Sequence, residues 1–223
     1  MPGRLIPLVN EQVYHVFNRG INHQPTFNDK LEFKRAKLVI EFYRFNNLPT
    51  KLSKFLTLSN DDRTDIMDNL RDDNDKLVEV LAFCIMPNHF HFLLKQLKDK
   101  GISKFLGNFQ NSYTRYFNVK NERDGSLFLD QFKAVMIQTD EQLIHVSRYI
   151  HLNPYTSFVL KDLESTLKYH WSSISEYLEG KPKICKLETI MSLFKNTQEY
   201  KDFIENQADY QRQLHTIQYL ALE

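Results

Sequence analysis

The chain has 223 residues, of which 42% are apolar and 13% aromatic, so it can bury a hydrophobic core, and its length suits one main domain with an appendage. Two cysteines exclude a disulfide framework, and the lack of a long apolar run argues against a signal peptide or a membrane span; we therefore expect a cytoplasmic protein without a membrane partner. The net charge of +1 does not by itself indicate nucleic acid, although residues 60–79 hold eight acidic and three basic side chains and leave the rest of the chain moderately basic.

The first third of the chain predicts a strand, a helix and a polar connection. Alternation of apolar and polar residues predicts a strand over Gln12–Asn18. Apolar residues recur at helical spacing over Lys30–Phe45, and Asp29 precedes them as a suitable N-cap. Residues 46–76 are mostly polar and predict one short helix, near Asp61–Leu70.

The next segment predicts a hairpin that carries two histidines. Leu77–Ile85 and His89–Gln96 favour strands and flank the turn signal Met86-Pro87-Asn88. Because side chains in a strand alternate between faces, His89 and His91 point to the same side. Neutral imidazole is a common ligand for divalent metals, so the pair is a candidate metal-binding pair. An isolated His-x-His pattern is more often an amphipathic strand with two half-buried histidines, so the metal interpretation needs support from elsewhere in the chain.

A helix and a strand follow the hairpin. Ser103–Val119 has an apolar and aromatic face at helical spacing, and Phe132–Gln138 predicts the last strand. Tyr113 and Tyr116 lie on the helix beside phenylalanines, which favours packing over reactivity.

The last helix of the main domain carries a second candidate cluster. Asp140 can cap it, and Pro154 is expected to end it. Tyr149 and Asn153 lie four residues apart and therefore share one face. A tyrosine hydroxyl beside an amide oxygen can serve as a nucleophile and a metal ligand. The alternatives are a packed aromatic residue and an ordinary helix end.

The order βαββαβα is the split-βαβ pattern with one further helix. It predicts an α+β fold with a ferredoxin-like antiparallel sheet and helices on one face. Ser173-Ile174-Ser175-Glu176 has the form of a capping box, and Leu187–Glu223 predicts two or three short helices, a helical C-terminal appendage.

Five ordered motifs resemble those of the single-tyrosine HUH transposases of insertion sequences, especially their REP-associated relatives (RAYT). The resemblance covers about residues 14–178. The motifs are Tyr14-His15-Val16-Phe17-Asn18-Arg19-Gly20, Met86 to Leu94, Tyr113-Thr114-Arg115-Tyr116-Phe117-Asn118, Tyr149 to Pro154, and Trp171-Ser172-Ser173.

The resemblance implies a metal-dependent transposase that cleaves and rejoins single-stranded DNA with hairpin or palindromic ends through a covalent 5′-phosphotyrosine. It assigns His89, His91 and Asn153 to the metal and Tyr149 to the attack on DNA. Mixed nitrogen and oxygen ligands suit Mg²⁺ or Mn²⁺.

The resemblance also divides the chain. Residues 1–180 are expected to form the HUH domain, with 46–76 as an insertion, and 181–223 a helical extension.

Candidate DNA contacts lie on several predicted elements. They are Tyr14, Asn18, Arg19, Arg115, Asn118 and Arg148. Relatives often carry Gln and Arg in a segment that reads Leu127-Phe128-Leu129-Asp130-Gln131-Phe132 here. If those positions contact DNA in relatives, affinity or target choice is expected to differ here.

Two other functions fit the same motifs. One is a domesticated DNA-binding module of the same fold without transposition, and the other is an HUH replication or mobilisation nickase. Monomer and homodimer are both open, and the sequence does not specify the hairpin.

Overall fold

A computed structural model describes residues 7–209 and 211–212. Within them the strands are β1 (Val13–Arg19), β2 (Val78–Met86), β3 (His89–Gln96) and β4 (Lys133–Ile137). The helices are α1 (Lys30–Tyr43), α2 (Leu52–Phe55), α3 (Asn60–Asp73), α4 (Gly101–Lys120), α5 (Asp140–Thr156), α6 (Leu163–Leu167), α7 (Ile174–Glu179), α8 (Glu188–Met191) and α9 (Thr197–Glu205).

The four strands form one sheet in the order β2-β3-β1-β4, and each neighbouring pair is antiparallel. This is the order of the ferredoxin-like split-βαβ fold, so the fold class predicted from the sequence is confirmed. β3 and β1 are the two central strands, and side chains on them have sheet neighbours on both sides. The histidine pair therefore lies on a rigid part of the structure.

The two faces of the sheet are covered by different helices. On one face, Phe90 and Phe92 of β3 pack against Phe105 and Phe109 of α4, and α1 packs beside α4. On the opposite face, which carries His91, α5 packs on β2 and β3. The two helices of the βαββαβ pattern thus share one face as predicted, and the additional helix covers the other.

α5 packs mainly on β2 and β3, so it covers this half of its face of the sheet most closely. The outer edge of β2 is covered by the segment after α6, since Ser173 N–H donates to Phe83 O at 2.9 Å and Lys186 N–H donates to Val80 O at 2.9 Å. The outer edge of β4 has no strand partner among the described residues, and Val135 on it is 57% exposed. The less closely covered half of the histidine face lies over β1 and β4.

The polar connection and the C-terminal segment both join the hydrophobic core. Phe55 of α2 and Leu70 of α3 are buried, as are Tyr177 of α7 and Tyr200 of α9. The division at residue 180 and the insertion stay predictions. Parts of the predicted N-terminal domain and C-terminal helices (residues 1–6, 210 and 213–223) lie outside the described residues. None of the helices in the described part of the chain combines the length and apolar character that crossing a bilayer requires.

The ends of α5 differ from the prediction. Thr139, and not Asp140, is the N-cap, and its hydroxyl accepts from Gln142 N–H at 3.1 Å. The helix also continues through Pro154 as far as Thr156. Proline removes one N–H donor, but its fixed φ near −65° is compatible with a helix, and buried packing on both sides of it outweighs the missing bond.

The predicted capping box at the start of α7 does not form. Ser173 is at the N-cap position, but its hydroxyl binds Phe83 and His151 instead of the helix. The Glu176 carboxylate accepts three backbone N–H groups from residues 183–185. Tertiary partners therefore replace the local ones that the sequence suggested.

Candidate active site

The two histidines and the asparagine meet between β3 and α5. His89 Nε2 lies 3.2 Å from Asn153 Oδ1, and His91 Nε2 lies 3.4 Å from Asn153 Nδ2. Because the histidines are two residues apart on a strand, their rings lie 5.0 Å apart, nearly perpendicular, on one face. The structure thus brings together the three residues expected to hold a metal.

The second ring nitrogen of each histidine has its own partner. His89 Nδ1 lies 2.7 Å from Asn88 Oδ1, and His91 Nδ1 lies 3.0 Å from His15 Nε2 of β1. His15 reaches His91 because it is on the same face of the sheet and stacks on its ring at 5.2 Å. Both imidazoles therefore turn Nε2 toward Asn153.

Tyr149 lies one helical turn before Asn153 and over the histidines. Its ring is 5.5 Å from that of His91 and 5.8 Å from that of His15, edge-on to both. Burial raises the pKa of Tyr149, whereas its hydrogen bond with Asn153 lowers that pKa. Tyr149 is thus half-buried and lies next to the amide that faces the histidines.

The site favours neutral imidazoles. Burial lowers the pKa of His15 to about 4, and burial followed by the proximity of His89 and His15 lowers the pKa of His91 well below its usual value. Neutral imidazole is the form that binds metal ions. Two such nitrogens and an amide oxygen fit a divalent ion with open positions. Within the described residues no three His, Cys, Asp or Glu side chains are grouped so that they could hold a metal ion.

A pocket of about 600 Å³ opens beside the histidines, over the half of the sheet that α5 covers less closely. His89 and His91 form part of its wall, and Arg19 and Lys133 supply basic groups. Arg19 is opposite His89 in the β1–β3 register, and Lys133 is opposite Phe17, the neighbour of His91. The pocket can therefore take an anionic polymer alongside the candidate metal ligands.

Two of the residues predicted to contact DNA line this pocket. Arg19 is exposed there. Asn18 is buried, with Nδ2 donating to Leu129 O at 2.8 Å and Oδ1 accepting from Arg19 N–H at 2.9 Å, so it shapes the wall beside Arg19.

Two others are buried against the protein. Tyr14 is 3% exposed, and its hydroxyl accepts from Val9 N–H at 2.8 Å. Arg148 is also 3% exposed, and its guanidinium donates to Phe203 O at 3.1 Å and to Gln207 Oε1 at 2.9 Å. In this conformation neither side chain can reach DNA, so we correct both assignments: Tyr14 anchors the N-terminal segment, and Arg148 anchors the C-terminal one.

The remaining two lie on α4, on the opposite side of the sheet from the histidines. Arg115 is exposed and lines a groove of about 590 Å³ with Arg35 and Lys51. Asn118 donates to Gly125 O at 2.9 Å and accepts from the Arg123 guanidinium at 3.1 Å. These residues do not join the tyrosine site.

Sequence reasoning missed several members of the site. The motifs assign no separate role to His15, although the alternation of β1 places it on the face of the sheet that carries His89 and His91. Asn88 was assigned only to a turn, and Ser157, whose hydroxyl donates to Asn153 Oδ1 at 3.2 Å, is again one turn along α5. Ser157 lies four residues after Asn153, so helical spacing indicates it once the helix is continued past Pro154.

Known proteins resemble this site and fold. A family model described as an IS200-like transposase matches residues 56–153, which include the histidine pair, Tyr149 and Asn153. Among solved structures, the fold is similar to that of a REP-associated tyrosine transposase bound to a REP hairpin, with a TM-score of 0.52 and 11% sequence identity over 85% of this chain and 93% of that one.

No curated protein matches the chain in sequence. The structural likeness, at so low an identity, concerns the fold, whereas the family match covers the candidate site itself. The segment that carries the histidine pair and the tyrosine helix is therefore similar to IS200-like transposases, in agreement with the resemblance seen in the motifs.

Proposed function

We propose that this chain cleaves and rejoins single-stranded, hairpin-bearing DNA through a covalent 5′-phosphotyrosine on Tyr149. The observation that carries the proposal is the convergence of Tyr149 and Asn153 on the histidine pair, which forms part of the wall of an open basic pocket. A binding module needs the pocket, but it does not need a tyrosine hydroxyl beside paired imidazoles.

The covalent step exchanges one phosphate ester for another. The Tyr149 oxygen bonds to phosphorus, the bond from phosphorus to the 3′ oxygen breaks, the phenol proton passes to water and the leaving oxygen takes a proton from water. The phosphodiester energy is kept in the adduct, so a 3′-hydroxyl can reverse the reaction without ATP.

His89, His91 and Asn153 would hold Mg²⁺ or Mn²⁺. The ion, when bound, supplies positive charge that neutralises the phosphate. Tyr149 is held by its packing on His91 and His15, one helical turn before Asn153. Burial raises the pKa of its hydroxyl, so the phenol stays protonated until substrate enters.

The pocket wall indicates how DNA would be held. Arg19 and Lys133 are exposed cations on neighbouring strands, and they can bind successive phosphates of one strand. The similarity to a transposase bound to a hairpin supports a hairpin as part of the substrate. Leu129 replaces the polar residue common in relatives and lines the same pocket, so we expect a different base preference at this point.

The reaction is proposed to need only one chain for cleavage. Histidines, asparagine and tyrosine all come from the same chain, so a monomer carries the complete constellation. Cys84 and Cys185 are both buried free thiols, which agrees with a reducing compartment such as the cytoplasm.

The test assigns the nucleophile. Tyr149→Phe removes one hydroxyl and keeps the ring, so hairpin affinity should stay within about twofold while the protein–DNA adduct disappears from a denaturing gel. Tyr116→Phe on α4 is the matched control and should form the adduct like the wild type. Peptide mapping should place the adduct on Tyr149. An adduct that persists in Tyr149→Phe would contradict the assignment, and hairpin binding without any adduct in the wild type would favour the DNA-binding module.

A further inference from the structure

The four ring nitrogens of His89 and His91 fall into two sets. The Nε2 atoms face the amide of Asn153, and the Nδ1 atoms face Asn88 Oδ1 and His15 Nε2. A neutral imidazole carries one N–H, so the partner of Nδ1 decides whether Nε2 presents a hydrogen or a lone pair. The atoms around Nδ1 therefore determine whether the pair can bind a metal at all.

The amide of Asn88 is oriented by the loop that follows β1. Asn88 Nδ2 donates to the carbonyl oxygen of His23 at 3.4 Å, and a carbonyl can only accept. Asn88 Oδ1 is consequently the atom that faces His89 Nδ1 at 2.7 Å. Both ring nitrogens of His89 face amide oxygens, and the contact at Nδ1, 2.7 Å, is shorter than the 3.2 Å contact at Nε2. We therefore assign the proton of the neutral ring to Nδ1 and the lone pair to Nε2.

That loop is built to hold its position. Gly20 N–H donates to Asn88 O at 2.8 Å, and Thr26 N–H donates to Pro87 O at 2.7 Å, so both ends of the loop are bound to the turn before β3. Asn22 and His23 have left-handed backbones, with φ of 54° and 55°, which is costly for residues other than glycine. The loop pays this conformational cost at the place where the His23 carbonyl meets Asn88.

The proton of His91 is placed by the same reasoning. Asn153 Nδ2 can only donate, so His91 Nε2, which lies 3.4 Å from it, is the acceptor. The hydrogen of His91 is then on Nδ1 and is donated to His15 Nε2 at 3.0 Å. His15 accepts it as a neutral ring.

One contact is unfavourable in this arrangement without a cation. His89 Nε2 and Asn153 Oδ1 are both acceptors, and they face each other at 3.2 Å. The Ser157 hydroxyl donates to the same Oδ1 and supports its direction. Two lone pairs held toward each other are the arrangement that two ligands of one metal ion adopt.

We propose that Asn88 and His15 are positioning residues that hold His89 and His91 in the Nδ1–H tautomer and so direct both Nε2 lone pairs toward one divalent cation. The inference rests on the metal site of the proposed function. It adds two residues that are not metal ligands and act through the histidines.

The first test reads the tautomers directly in metal-free wild-type protein. Two-bond ¹H–¹⁵N correlation spectra of the histidine rings distinguish the Nδ1–H, Nε2–H and doubly protonated forms. At pH 7.5 we expect Nδ1–H for both His89 and His91, assigned through His89→Gln and His91→Gln. Nε2–H or double protonation at either position would overturn the proposal for that histidine.

Matched substitutions separate an acceptor from a packing role. Asn88→Ala should move His89 to Nε2–H and weaken Mn²⁺ binding, measured by electron paramagnetic resonance, by roughly 10- to 100-fold, whereas Asn88→Asp keeps an acceptor and should retain the Nδ1–H form. His15→Phe should do the same to His91, and His15→Gln, which keeps an amide oxygen, should restore it. Equal tautomers in Asn88→Ala and wild type would contradict the role of Asn88.

The outcome is distinguishable from failure of the proposed function. The tautomer measurement uses neither metal nor DNA, so it can succeed in a protein that forms no tyrosine adduct. Conversely, an active protein with Nε2–H histidines would keep the proposed reaction and remove the positioning role of Asn88 and His15.

Discussion

Two helices that carry tyrosines pack on opposite faces of the same sheet, and they do so with different chemistry. α4 meets β3 through aromatic rings, among them Phe105 and Phe109 against Phe90 and Phe92. α5 meets β3 through Tyr149 and the amide of Asn153. One central strand thus has a dry structural face and a polar face with an open edge.

Tyr113 and Tyr149 show what distinguishes a packed tyrosine from a candidate nucleophile. Burial raises the pKa of both Tyr113 and Tyr149, so burial alone does not identify a nucleophile. The Tyr113 hydroxyl donates to the carbonyl oxygen of Thr26 at 2.5 Å and is held there. Tyr149 instead shares the side-chain amide that faces the histidines. The partner of the hydroxyl, and not its exposure, distinguishes the two positions.

The largest expected effect is the loss of cleavage when both imidazoles are removed from the polar face of β3. His89→Ala/His91→Ala should abolish cleavage of a single-stranded hairpin oligonucleotide, because the two imidazoles are the nitrogen donors of the site, and EDTA should do the same to the wild type. The double variant should still unfold cooperatively in urea. His170→Ala, at an exposed position, is the control. Undiminished cutting by the double variant would show that the histidine face is not the active one.

The second largest effect should be on the free energy of unfolding, for substitutions on the aromatic face of the sheet that packs on α4. Phe109 is fully buried among five aromatic rings, so Phe109→Ala should lower the free energy of unfolding by about 3–5 kcal/mol. Phe17 packs on His91 on the other face but is partly exposed, so Phe17→Ala should cost less. Urea unfolding at one pH compares them. Equal losses would mean that both faces contribute alike to stability.

The sequence predicted which residues share a face within one strand or one helix. The period of two in β3 placed His89 and His91 on one face, and the helical period placed Tyr149 and Asn153 on another, so both halves of the site could be found. The sequence could not show which element covers a face. Arg148 shares α5 with the site, but the side of the helix that carries it packs on α9, and only the folded chain reveals that.

Local signals failed where tertiary contacts offered stronger ones. Pro154 normally ends a helix, yet α5 continues for two residues beyond it because Asn153, Pro154 and Tyr155 are buried. Ser173 and Glu176 have the spacing of a capping box, yet both side chains bind distant backbone groups instead. A single sequence shows the local helix-ending and capping signals, but it does not show the tertiary contacts that compete with them.

The smallest expected effect compares one arginine from each side of the sheet. Arg19 is exposed beside His89, whereas Arg115 is exposed on α4, across the sheet from the tyrosine. Each phosphate contact to a single strand contributes about 0.7 to the slope of log K against log salt concentration. With an unstructured oligonucleotide, Arg19→Ala should therefore lower the slope by about 0.7, and Arg115→Ala should leave it unchanged.

A hairpin substrate sharpens the same measurement. With a hairpin whose duplex stem is chosen longer than the pocket, a stem that crosses to α4 should make Arg115→Ala reduce the slope for the hairpin and still not for the unstructured strand. Fluorescence anisotropy between 50 and roughly 300 mM salt gives both slopes from one set of titrations. A reduced slope for the unstructured strand in Arg115→Ala would place single-stranded DNA on the α4 face, far from Tyr149, and would break the division between a dry structural face and a reactive one.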